Sequence, residues 1–334
     1  MDVAAWCTQS RVWVVAGKGG VGKTTITAVL AATAAAAGLS VLVIELEGKH
    51  GLGATFGRKG PVGYKAVALR GPDLQDDPGT RETPPAGAIW ARRLTPDDAL
   101  LEYLADHGLQ RVSRRLVSTG VLDVVATAIP GIRDVLVLGK VKQLERAGAA
   151  DMVILDAPAT GHAVTFLTSA SGLLDAARGG PVRQQAADVV DLLRDPARCR
   201  VLPVTLPEEM PVSETVESAQ VLRDRVGIHL GPVVVNCFEE GSADLEISAA
   251  DAASDAELAL DTDTLDALEA ARTFRLRRLH LVEEQVDRLA AELPLPQLRV
   301  PRLLVPAIGP AELDHLATAM AEAIDALPAP DGGT

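Results

Sequence analysis

Short apolar runs separated by amphipathic stretches organise the chain. Val12–Ala16, Val41–Leu46, Met152–Leu155, Arg200–Thr205 and Pro232–Asn236 read as apolar strands, with a weaker one at Gln297–Leu304. Helical periodicity appears at Lys23–Ala37, Val212–Val226 and Pro310–Ala326. Strands that are apolar on both faces and separated by helices predict a parallel sheet covered on both sides. The expected fold class is α/β, a doubly wound, mostly parallel sheet with helices on both faces.

Three stretches interrupt this rhythm. Arg70–Ala88 (RGPDLQDDPGTRETPPAGA) is rich in Pro, Gly and Asp and reads as a mobile loop. Pro96–Ala147 carries helical patterns without a convincing strand, broken at Pro130-Gly131. Ala243–Leu293 is helical again, with segregated charge. Eleven acidic residues lie from Glu239 to Glu269, and Arg272, Arg275, Arg277 and Arg278 follow. A solvated helix pair with internal salt bridges accounts for that pattern, and a partner-binding surface is the other reading. One unit over 1–334 is expected, with its core at about 10–60, 148–240 and 295–330 and an inserted helical subdomain from 96–147 and 243–293.

Composition narrows the class. A hydrophobic content of 48% over 334 residues supports a large core, and 3% aromatics means that Ala, Val and Leu must build it. A net charge of −13 argues against a nucleic-acid partner or an anionic membrane surface. Cys7, Cys199 and Cys237 are far apart and form no C-x-x-C, so neither a zinc site nor a redox pair is expected. The first eleven residues, MDVAAWCTQSR, do not resemble a signal peptide, and no apolar stretch is long enough for an integral membrane segment. A reducing cytoplasm fits best.

Candidate chemistry begins where the first strand ends. Gly17–Thr24 (GKGGVGKT) fits G-x-x-x-x-G-K-[ST], and an Ala-rich helix follows. Gly17, Gly19, Gly20, Val21, Gly22, Lys23, Thr24 and Thr25 are therefore the expected phosphate cradle. Glycines let backbone N–H groups turn around an anion, and the helix N-terminus adds partial positive charge. Lys23 would reach the β- and γ-phosphates of ATP, and the Thr24 hydroxyl would hold Mg²⁺. A second lysine, Lys18, lies inside the loop, in a chain with seven lysines and twenty-five arginines. The alternative is a Gly-rich turn that binds nothing.

Other candidates sit at strand ends, where open α/β sheets place ligands. Asp156 follows the strand Met152–Leu155 as a second Mg²⁺ carboxylate should. Asp156-Ala-Pro-Ala-Thr-Gly-His162 reads as a loop able to respond to loss of the γ-phosphate, with Pro158, Thr160, Gly161 and His162 as its switch residues. Glu45 and Glu47 alternate at the end of the second strand, so both carboxylates face one side. Glu47 is the better placed to orient an attacking water, and a pair of solvated acids is the plainer reading. His50 lies in a similar switch-like stretch. Asn236 either recognises a base edge or serves as a cap.

These residues carry a resemblance. Lys18-Gly-Gly-Val-Gly-Lys-Thr24 resembles the deviant Walker A of the MinD/ParA/ArsA branch of P-loop NTPases, and Asp156–His162 is similar to the switch II motif of its ArsA-like members. Ile129-Pro-Gly-Ile132, Leu206-Pro-Glu-Glu209 with Ser213-Glu-Thr215, Val233–Asn236 and Val305-Pro306 resemble further motifs of that family. The resemblance implies a dimeric, Mg²⁺-dependent ATPase, with Lys18 reaching a partner's nucleotide and Asn236 and Pro306 at the base. The dimer would be a homodimer or a heterodimer with a paralogue, acting on an unidentified protein client.

Departures refine that expectation. The family's D-P-A-H-[SN]-L is matched here by Glu47-Gly-Lys-His-Gly-Leu52. The extra methylene of Glu47 displaces its carboxylate by about 1.5 Å, and such a shift can cost on the order of a hundredfold in rate. A slow or non-hydrolysing regulator or chaperone subunit is thus one alternative, and a MinD/ParA-type positioning ATPase is another. The cysteines of the family's zinc and arsenite sites are absent from this sequence.

Overall fold

The computed structural model describes residues 1–46, 51–71, 84–106 and 131–328. Its nine-stranded sheet comprises β1 (Val12–Gly17), β2 (Val41–Leu46), β3 (Val67–Arg70), β4 (Ile89–Leu94), β5 (Met152–Ala159), β6 (Cys199–Thr205), β7 (His229–Leu230), β8 (Val233–Phe238) and β9 (Gln297–Pro301). The order across the sheet is β3-β4-β2-β5-β1-β6-β8-β9, with β7 also beside β6. Among the described strands only the β3–β4 pair is antiparallel. The strands β1 and β2, consecutive in sequence, are separated in space by β5.

The helices are α1 (Val3–Cys7), α2 (Lys23–Ala36), α3 (Leu52–Thr55), α4 (Pro96–Asp106), α5 (Ile132–Arg146), α6 (Thr160–Ala176), α7 (Gly180–Arg194), α8 (Glu209–Val221), α9 (Ala249–Asp255), α10 (Thr262–Glu292) and α11 (Pro310–Asp325). Alternation in β1 divides the core in two. Trp13 and Val15 pack with α1, α2 and α11, while Val12, Val14 and Ala16 pack with α5, α6 and α7.

Small side chains let α2 lie between the sheet and α11, buried continuously from Ile26 to Ala35. Its Thr33 hydroxyl stays satisfied there, 2.9 Å from the Val29 carbonyl and 3.2 Å from that of Ala317. Trp6 stacks on Trp13 with ring centroids 4.6 Å apart, and Trp13 Nε1 donates to the Cys7 carbonyl at 2.9 Å. Burial pushes the Cys7 and Cys199 thiols up to about 12, so neither is a reactive thiolate at neutral pH. Among the described residues, no helix is long and apolar enough to cross a membrane.

Several boundaries differ from the sequence expectation. The stretch Asp156–His162 is not a loop: β5 continues through Ala159, and α6 begins at Thr160. Pro158 has no N–H for a ladder, and the β1–β5 register shifts between Val15 and Gly17 beside it. The helix expected over Val212–Val226 starts at Glu209 and widens into a π turn at Leu222–Val226. The last strand stops at Pro301. Arg70 belongs to β3 and pairs with Asp314 at 2.6 Å, while Pro84 and Ala88 are buried. The rest of the expected loop, residues 72–83, lies outside the described residues, as do Ile129 and Pro130.

Candidate functional site

The site forms toward the ends of β1, β2 and β5, beside β8, where α2 begins. Gly17 closes β1 so near β6 that a Cβ would stand 2.2 Å from the Val204 carbonyl oxygen. Gly20 and Gly22 have φ of 88° and 87°, a left-handed backbone that side chains disfavour. Gly22 caps α2 with no side-chain hydrogen bond, and Lys23, Thr24 and Thr25 form the first turn, at the positive end of the helix. Gly19 lies exposed on the rim, and Val21 is buried beneath the loop.

Lys23 is buried and donates from Nζ to the Lys18 carbonyl at 2.7 Å. The Thr24 hydroxyl donates to Asp156 Oδ2 at 2.7 Å, and Asp156 is fully buried. A hydroxyl beside a carboxylate is a hard-oxygen donor set of the kind Mg²⁺ takes.

Asp156 also belongs to a row of charged residues across three strands. Parallel register pairs Arg93 of β4 with Glu45 of β2, and Glu45 with Asp156 of β5. Glu45 is 1% exposed, and Arg93 donates to its Oε2 from Nη2 at 2.9 Å and from Nε at 3.3 Å. Glu45 is therefore not a solvated strand-end acid. Glu47 and His50 lie outside the described residues.

Lys18 makes an ion pair within its own chain, its Nζ 2.7 Å from Glu214 Oε1 on α8. Each side chain is about one-third exposed, at 33% and 31%, so the pair is open to exchange. Asn236 is neither a cap nor a strand end: it is buried inside β8 and donates from Nδ2 to the Val21 carbonyl at 2.8 Å. A strand from the far side of β6 thereby braces the glycine loop.

Pro158 lies inside β5, one residue before its end, and Thr160, Gly161 and His162 form the first turn of α6. His162 is exposed, close enough to Asp134 of α5 to oppose the effect of burial, which raises that carboxyl. Pro306 is exposed in the bend between β9 and α11, beside Leu304 and Val305. Sequence reasoning assigned no role to Arg93, Asp134 or Glu214. Glu214 fell inside a noted motif, whereas Arg93 is visible only through strand register.

A parallel sheet with a glycine loop between β1 and the N-terminus of α2 has the fold of a P-loop NTPase. The chain belongs to the anion-transporting ATPase family, whose model matches residues 10–176. Among its relatives, the ATPase BagA of Mycobacterium tuberculosis is 35% identical over 233 residues, covering 68% of this chain and 64% of BagA. The ATPase get3 of Schizosaccharomyces japonicus is 31% identical over 156 residues, covering 46% of this chain and 43% of get3. The match thus spans less than two thirds of either relative.

Proposed function

We propose that the protein is a cytoplasmic, Mg²⁺-dependent ATPase that acts as a nucleotide-gated dimer. The observation that carries this reading is the 2.7 Å contact joining Thr24, at the start of α2, to Asp156 of β5. Thr24 and Asp156 would hold the ion, which when bound offsets phosphate charge. The loop amides and Lys23 stabilise the β- and γ-phosphates, Lys23 leaving the Lys18 carbonyl to reach them. Asn236 keeps the loop in shape and, with Pro306, borders the base. Glu47 orients the attacking water.

Lys18 supplies the gate. In the single chain Glu214 holds it, so reaching a partner's nucleotide requires that exposed ion pair to open. An exposed pair of this kind contributes at most about 1 kcal/mol, which a phosphate of higher charge readily overcomes. The partner is a second copy or a paralogue, and closure is transmitted to the helical segments that hold a protein client.

Turnover and association assays test this. Lys18→Ala should reduce both ATP turnover and ATP-dependent association while the chain still folds, and Glu47→Gln should reduce turnover alone. Unchanged association and turnover in Lys18→Ala would remove the gate. A full rate in Glu47→Gln would remove Glu47 as the water-orienting group.

A further inference from the structure

Glu45 is the group the reading above leaves unused. It is 1% exposed, and only Oε2 faces Arg93; Oε1 is buried with no hydrogen-bond partner among the described residues. Buried polar atoms nearly always find partners, so this carboxylate oxygen calls for a donor such as a water or an ion. Its position says which. Register puts Glu45 directly beside Asp156, one strand spacing away, and equivalent positions on adjacent parallel strands project to the same face. That face carries α2, whose Thr24 bonds Asp156. Two carboxylates side by side repel unless a positive group lies between or beside them. Arg93 answers one oxygen of Glu45, leaving the other for a donor at the ion site.

We propose that Glu45 is a second carboxylate of the divalent-ion site, with Oε1 accepting a hydrogen bond from a water bound to the ion while Arg93 fixes the side chain through Oε2. The inference rests on the assignment of Thr24 and Asp156 as ion ligands. It makes Glu45 a positioning residue, acting through that water. Arg93 has a further role here: by neutralising part of the Glu45 charge it moderates how tightly the ion is held.

The test uses Mn²⁺ as a paramagnetic substitute for Mg²⁺, with a non-hydrolysable ATP analogue bound to the full chain. Glu45→Gln keeps the volume and an acceptor for Arg93 but lowers the charge. It should weaken Mn²⁺ in the ternary complex about tenfold, the range expected for an outer-shell partner. Binding of the analogue in EDTA should stay within twofold of wild type. Arg93→Gln should act in the opposite direction and tighten Mn²⁺ several-fold, so the proposal can be decided even if one variant folds poorly. A Mn²⁺ affinity within twofold of wild type in Glu45→Gln, or in Arg93→Gln where Glu45→Gln does not fold, would overturn it. Asp156→Asn separates the two layers. If it also binds Mn²⁺ like wild type, the ion site itself is misassigned; if only Glu45→Gln does, the ion site stands and Glu45 is excluded.

Discussion

Glycines 20 and 22 look equivalent in sequence and are not equivalent in space. Both have left-handed φ, so alanine at either pays a conformational cost of about 1–2 kcal/mol. A Cβ on Gly20 meets nothing within 4 Å, whereas one on Gly22 lies 2.3 Å from Asn236 Nδ2. Gly22→Ala must therefore displace the amide that braces Val21, and Gly20→Ala need not. We expect both variants to melt lower than wild type, with Gly22→Ala also losing more than tenfold in ATP affinity by titration calorimetry. Equal affinity losses in the two would show that Asn236 does not shape the loop. The loop and its glycines were readable from spacing alone. The use of Asn236 was not, because nothing local in sequence indicates that position 236 faces position 21.

The same limit governs the elements. Strands of unbroken apolar residues, such as VWVVA in β1 and VLVI in β2, announce themselves. The strand β4 does not, since IWARRL breaks into charge after three residues. Its two arginines are tolerated because Arg93 pairs with Glu45 and Arg92 lies over the Tyr64 ring at 4.6 Å. Both compensations come from other strands and loops. The stretch Asp156–His162 departs from expectation for a related reason: its Pro and Gly predict a loop, but Pro158 sits beside a register shift where no ladder N–H is required.

Between α5 and α7, a buried Lys142 is held by Asp188 at 2.7 Å, with Gln185 at 3.4 Å. The hydrogen bond from Lys142 leads the causes that set the Asp188 carboxyl below its ordinary value, against the effect of burial. A carboxyl lowered on folding adds stability above its unfolded pKa, near 3.9, and that stability is lost as pH falls through the lower folded value. A melting series from pH 7 to pH 2 should therefore fall more steeply for wild type than for Asp188→Asn. At pH 7 the variant should melt lower, since Lys142 keeps its charge without its counter-ion. Parallel pH profiles would show that the pair does not tie α5 to α7.

Across the molecule, Glu239 joins three distant parts. This carboxylate, 5% exposed, lies 2.7 Å from Arg275 and 3.5 Å from Arg278 on α10, and 2.8 Å from Arg302 just past β9. It follows Asn236 by three residues, with Cys237 between them at φ 55°. A change at the end of β8 thus has a short mechanical route to α10 and to the bend containing Pro306. Because the arginines retain 36–42% exposure, losing the shared carboxylate should cost about 2 kcal/mol, below the 3–5 of a fully buried pair. Glu239→Gln should lower the melting temperature and raise hydrogen exchange across 275–290. Unchanged exchange there would mean that α10 is anchored by Leu279, Val282, Val286 and Leu289 alone.

The displacement of β5 between β1 and β2 sets an order of assembly. Until residues 152–159 arrive, β1 and β2 have no partner on the edges they later share, and a slot must be kept open for more than a hundred residues of synthesis. Long-range parallel pairing of this kind is slow, and its open edges invite mispairing. The carboxylate that meets Thr24 arrives on the same inserted strand. An unfinished sheet therefore lacks that half of the site, and the site becomes complete only as the sheet closes.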